Sequence, residues 1–298
     1  MCTNVTRRAV PAAGQTFGRT GAASWRGLTG RCFRAALRPG FRSGFRLSVL
    51  LSFLLLAACA SEQNDPYPRS ERNRNILYSA FTERPRHLDP ARSYTEDEAV
   101  FTGQIYEPPL QYHYLKRPYT LIPGTAESVP EPEYYDAAGQ RLPADAPSDA
   151  IARSVYEVRI RPGIRYQPHP AFAVDADGRP VHADLDAAKL AGIDTLADFT
   201  RTGTRELTAD DYIYQIKRLA HPRLHSPIFG MMAARIVGLK ELGEALREAA
   251  KSLPEDAWLD LDRFPLAGVT RVDRHTYRVT LIGKYPQFRY WLAMPFFA

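Results

Sequence analysis

An α/β fold is predicted, on three observations. In "SVYEVRI" Tyr156, Val158 and Ile160 alternate with Glu157 and Arg159, and in "HTYRVTLIG" Tyr277, Val279 and Leu281 alternate with polar neighbours, the period of strands with one buried face. Thr95 with Glu98 three residues later forms a capping box. Thr208-Ala209-Asp210-Asp211 caps a second helix, whose Tyr212, Ile213, Ile216 and Leu219 share one side. Apolar residues make up 45% of the chain, an ordinary share for a globular protein and enough to bury a core.

Residues 1–58 read as a leader and signal peptide. The apolar run at 47–58 is twelve residues long, against the roughly twenty that a bilayer-spanning helix needs. Arg46 precedes it and small residues end it, the order of a secretory signal. Leu56-Ala57-Ala58-Cys59 resembles the bacterial lipobox. That resemblance implies cleavage before Cys59 and acyl chains on Cys59, and two or three such chains hold a protein firmly to a bilayer.

The net charge of +6 does not mark a nucleic-acid binder. Nine arginines and no acid fall in residues 1–58; without them 30 basic side chains face 33 acidic ones, a net of −3. Cys2 and Cys32 also lie in the leader. Cys59 is then the only cysteine of the mature chain, so no disulfide, CxxC pair or cysteine zinc site is available there.

Residues 59–75 form the lipidated tether, since "SEQNDPYPRSERNRN" is polar, punctuated by proline and without apolar period. Residues 76–81, "ILYSAF", suit a short buried strand. In the next loop Leu88 is placed to anchor on the core, Asp89 to bond its own backbone and Pro90 to fix one dihedral. The helix capped by Thr95 carries Phe101 and Ile105 one turn apart and ends at or before Glu107, because Pro108 and Pro109 cannot continue it. Residues 129–150 hold Pro130, Pro132, Pro143, Pro147 and a "DAAGQ" turn at Gly139, and read as a surface loop or hairpin extension. The first strand stops at Pro162-Gly163. A polar insert at 167–206 contains "DADG", a hairpin turn. Pro222 closes the Thr208 helix, another helix covers about 239–252, and the second strand follows.

Four stretches stand in a telling order: "LDPA" (88–91), "IYEPPL" (105–110), "YEVRIRPGIRY" (156–166) with "LTADDYIYQIKRLAHP" (207–222), and "AGVTRVDRHTYRVTLIGKYPQF" (267–288). Over nearly all of residues 76–298 the sequence resembles the family 5 extracytoplasmic solute-binding proteins, the oligopeptide, dipeptide and nickel binders of ABC importers. The resemblance implies a periplasmic binding protein type II-like fold, two-lobed with an extra small domain, of which only the N-terminal part is present. Residues 76–106 would be the first segment of domain I, 107–286 the small domain II, and 287–298 the truncated return to domain I. One lobe cannot enclose a ligand, so residues 59–298 are expected to bind peptides weakly, with Phe296 and Phe297 candidates for exposed apolar surface. The long insert at 167–206 departs from the family's compact turn.

By the same resemblance, the protein captures peptides on the periplasmic side of the envelope and delivers them to an ABC permease in the inner membrane. Backbone pairing would supply affinity without reading side chains. The segment after "LDP" puts ligand contacts at Ser93, Tyr94 and Thr95, and "SPIF" puts a second wall at Ile228 or Phe229. Thr95 already has work as a helix cap. The alternative is an envelope scaffold or sensor lipoprotein that retains the fold without transport.

No GxSxG, P-loop or GxGxxG is present, which argues against an enzyme, and no cofactor is expected. His221 and His225 stand four apart, but Pro222 and Pro227 prevent a regular helix across them and no HExxH glutamate accompanies them. The "DADG" stretch lacks the third acid and final glutamate of a calcium loop.

Overall fold

The computed structural model describes residues 67–298 apart from 72, 184, 255 and 256; the signal peptide, the lipobox and Cys59 lie outside the described residues. The chain divides into two compact units, Met1–Leu77 and Tyr78–Ala298. The described part of the first is a short 3-10 turn, Arg69–Glu71, after which the Arg74 amide donates to the Glu71 carbonyl at 2.9 Å.

The second unit is mixed α/β. Its strands are β1 (Leu110–Tyr112), β2 (Leu121–Pro123), β3 (Pro132–Tyr135), β4 (Arg141–Leu142), β5 (Arg153–Arg159), β6 (Val269–Arg271) and β7 (Thr276–Ile282). Its helices are α1 (Glu96–Ile105), α2 (Ala187–Leu190), α3 (Ala209–Leu219), α4 (Phe229–Ala233), α5 (Leu239–Lys251) and α6 (Phe288–Trp291). β1 and β2 make a hairpin, and the others form an antiparallel sheet in the order β4-β3-β5-β7-β6.

The alternation seen in the sequence sets the sheet's two faces. Tyr156 lies opposite Val279 and Val158 opposite Tyr277, so one register buries all four. Onto this face α3 brings Tyr212, Ile216 and Leu219, while α5 adds Leu239, Leu242 and Leu246 to the same core. Each such side chain contributes about 1.5–3 kcal/mol by leaving water. The opposite face is polar: Glu157 is held by Arg159 and Arg278, each at 2.7 Å.

The caps form as expected. The Glu98 amide donates to Thr95 Oγ1 at 3.3 Å and the Thr95 amide to Glu98 Oε2 at 3.3 Å; at α3 the Thr208 amide donates to Asp211 Oδ2 at 2.8 Å. Gly139 and Gly178 take the positive φ values, +81° and +78°, that the "DAAGQ" and "DADG" turns require.

Several expectations change. Residues 76–81 form no strand, and Leu77 is 93% exposed; an apolar run becomes a strand only where another takes its backbone bonds, and no strand among the described residues does. Leu88 is exposed, and Pro90 and Ala91 bury in its place. α1 turns Glu98 and Thr102 inward rather than Ile105, which is 59% exposed, because the Glu98 carboxylate collects several backbone donors that a narrow apolar stripe does not outweigh. Within 129–150 the hairpin reading holds, β3 pairing with β4 across the Gly139 turn, and β3 in addition joins the sheet beside β5. Phe296 and Phe297, candidates for exposed apolar surface, are 8% and 1% exposed and belong to the core.

Candidate functional site

α3 joins segments far apart in sequence. Its amphipathic period buries one side, and the polar residues bordering that side reach outward to the chain's other segments. The Tyr212 hydroxyl donates to the Glu107 carbonyl at 2.9 Å and meets Thr125 Oγ1 at 2.5 Å. Gln215 Nε2 donates to the Phe296 carbonyl at 3.1 Å. Arg218 donates to Asp89 Oδ2 at 2.6 Å and to Gln215 Oε1 at 2.9 Å. The loop at 88–95, the "IYEPPL" turn and the last residues are thereby held against one helix.

Within that loop Asp89 also organises its own backbone. Its Oδ1 accepts from the Ala91 amide at 2.9 Å, and its carbonyl accepts from Arg92 and Ser93 at 3.0 and 2.8 Å. Glu98, 3% exposed, closes the other end: Oε1 accepts from the Arg86 and His87 amides at 3.1 and 2.9 Å, and Oε2 from Tyr94 and Thr95 at 3.0 and 3.3 Å. Burial pushes this carboxyl up, but the four amide bonds outweigh it and bring it from 4.5 to about 2.

This geometry places the candidate residues differently from one another. Ser93 is buried at 7% exposure, and Thr95 is exposed with its oxygen engaged as the cap. Tyr94 stands 73% exposed, its ring 6.3 Å from that of Phe296, and is the one of the three with a large free face. Ile228 is 3% exposed in the core. Phe229 is half-buried, with its ring so close to Gly243 that a Cβ there would strike it. It lines a surface depression of about 310 Å³ beside Lys240, Glu244 and Arg247.

The Asp89–Arg218 pair and the amide cage around Glu98 were not read from the sequence. Glu98 was visible as a cap; its bonds to residues 86 and 87 follow no periodic signal.

His169, His182 and His221 are separately occupied. His169 Nδ1 accepts from the Ala171 amide at 3.1 Å, His182 Nε2 lies 3.1 Å from the Arg201 carbonyl, and His221 Nδ1 accepts from the Arg223 amide at 3.2 Å. Burial, with Arg223 and Arg218 nearby, pushes His221 down. Among the described residues no group of three His, Cys, Asp or Glu side chains is placed to hold a metal ion.

No family model matches the chain, and no curated protein does. Solved structures similar to it include the murein tripeptide-binding protein MppA of Escherichia coli, at 20% identity and a TM-score of 0.40 over 73% of this chain and 29% of that one. Others are OppA of Listeria monocytogenes bound to peptide, at 16% and 0.36 over 70% and 27%, and DppA of Helicobacter pylori in complex with the peptide STSA, at 18% and 0.37 over 70% and 28%. The chain spans less than a third of the length of these structures.

Proposed function

We propose that the protein is part of a peptide-capturing, substrate-binding component of an ABC importer, held on the periplasmic side of the envelope by lipid on Cys59. The observation that carries this reading is the convergence of the four stretches that resemble the solute-binding family. "LDPA" is joined to "LTADDYIYQIKRLAHP" by Asp89 and Arg218, and "IYEPPL" to the same helix by Glu107 and Tyr212. "YEVRIRPGIRY" pairs with the last stretch through β5 and β7. Segments scattered over 88–288 thus act as one packed unit, as they would if inherited together.

In this reading an extended peptide lies along residues 93–95, paired through backbone groups and touching the free face of Tyr94, with Phe229 on the second wall. Ser93, Thr95 and Ile228 support that surface through the main chain and the core. The partners are the peptide, the inner-membrane permease and the bilayer; nucleic acid has no part.

Ligand-observed NMR with a mixed pool of short peptides tests the function, since it detects weak association. Broadening of peptide resonances that Tyr94→Ala reduces, with free amino acids unaffected, is the expected result. Peptide resonances unchanged by the protein would overturn the reading.

A further inference from the structure

The β1–β2 hairpin ends in a tip, residues 113–120, that the proposed peptide site does not use. Three large side chains project from it: Tyr114, Leu115 and Tyr119 are 88%, 76% and 64% exposed. The tip is ordered from within. His113 Nδ1 accepts from the Leu115 and Lys116 amides, both at 3.2 Å, and the His113 amide donates to the Thr120 carbonyl at 2.8 Å. Beneath it lies an aromatic base, with Tyr119 edge-on to Tyr112 at 5.8 Å and Tyr112 stacked on Tyr290 at 6.2 Å.

Charge gives the surface its character. Residues 108–126 hold Lys116 and Arg117 and no acid. Arg117 lies 4.4 Å over the Tyr119 ring, and Lys116 is exposed, with no acidic partner among the described residues. We propose that this tip docks on an anionic bilayer surface, Tyr114, Leu115 and Tyr119 entering the headgroup region while Lys116 and Arg117 meet lipid phosphates. Tyrosine bodies suit that boundary, apolar at one end and wet at the other, and basic residues beside them are drawn to anionic lipid. A symmetric pairing of two tips would instead bring like charges together.

The proposal rests on the anchor at Cys59. From there to the start of the second unit at Tyr78 the chain reaches at most roughly 65 Å, so lipidation keeps the hairpin at high effective concentration beside the bilayer.

The test uses the mature lipidated chain from Cys59 onward and its Leu115→Trp form in vesicles of phosphatidylethanolamine and phosphatidylglycerol with brominated acyl chains. Emission is read as the difference from the parent, so that Trp258 and Trp291 cancel. Quenching of the new indole is expected, several-fold stronger than in phosphatidylcholine vesicles and absent for Leu196→Trp on the insert. Adding Lys116→Gln should weaken it roughly fivefold in a lipid titration. An unquenched indole overturns the docking proposal, whether or not the chain floats with the vesicles; the mass of Cys59 judges the anchor separately. A dimer that Leu115→Glu dissociates would give the surface to a second copy, and would also overturn it.

Discussion

Asp89 and Arg218, 129 residues apart in the chain, meet at 2.6 Å between a carboxylate oxygen and a guanidinium nitrogen. Each side chain is about a quarter exposed, at 26% and 27%, so the pair is screened less than one at the open surface and not desolvated like one in the core. Arg218→Ala should lower unfolding stability by about 1–2 kcal/mol, and the double change with Asp89→Ala should cost less than the sum of the two. Urea melts of the four proteins measure that coupling; strict additivity would show the pair to be incidental.

Glu98 makes the 86–98 segment sensitive to acid. Its pKa is depressed from 4.5 to about 2, so its stabilising contribution is fully present above about pH 4.5 and is lost as the pH falls through about 2. Protection factors at the amides of residues 86, 87, 94 and 95, taken against the intrinsic rate at each pH, should fall over that window. Glu98→Gln should show faster exchange already at neutral pH and no further step from this group.

Two stacked tyrosines have opposite expectations. Tyr212 and Tyr277 lie 5.8 Å apart at 21°. The Tyr212 hydroxyl bonds both Thr125 and Glu107, whereas the buried Tyr277 hydroxyl has no partner among the described residues. Tyr212→Phe should destabilise by about 1–3 kcal/mol and Tyr277→Phe should stabilise by about 1 kcal/mol. Thermal melts that moved both variants the same way would show that the hydroxyls are not what separates them.

The insert's root depends on one glycine. Gly203 exchanges backbone bonds with His169 at 2.9 and 3.1 Å, and a Cβ on it would fall on the Phe172 carbonyl oxygen. Gly203→Ala should cost about 1–3 kcal/mol through backbone displacement, with hydrogen-exchange protection lost at residues 169 and 203 and kept in β5 and β7.

Cys59→Ser, in the proposed reading, leaves the chain without lipid. Mass spectrometry should find no acyl groups, and the detergent phase should be depleted of the variant relative to the parent. A parent that carries no lipid at Cys59 would remove the anchor from the functional proposal.

The sequence by itself determined what repeats with a short period or sits within one turn. The alternation through Tyr156 and Val158 and through Tyr277 and Val279, the caps at Thr95 and Thr208, and the turns at Gly139 and Gly178 are local consequences of backbone geometry, and each stands where the residues put it. Tertiary structure decided which apolar groups found partners. The apolar run at 76–81 and Leu88 read as buried but stay exposed, while Phe296 and Phe297, candidates for exposed apolar surface, pack against Phe288 and α3. Burial belongs to a pair of surfaces, and neither residue type nor local spacing names the second surface. The same reason limits what the sequence says of the candidate site: positions 93–95 come from the resemblance alone, and the exposure of Tyr94 depends on neighbours such as Glu98 and Phe296, brought together only by the fold.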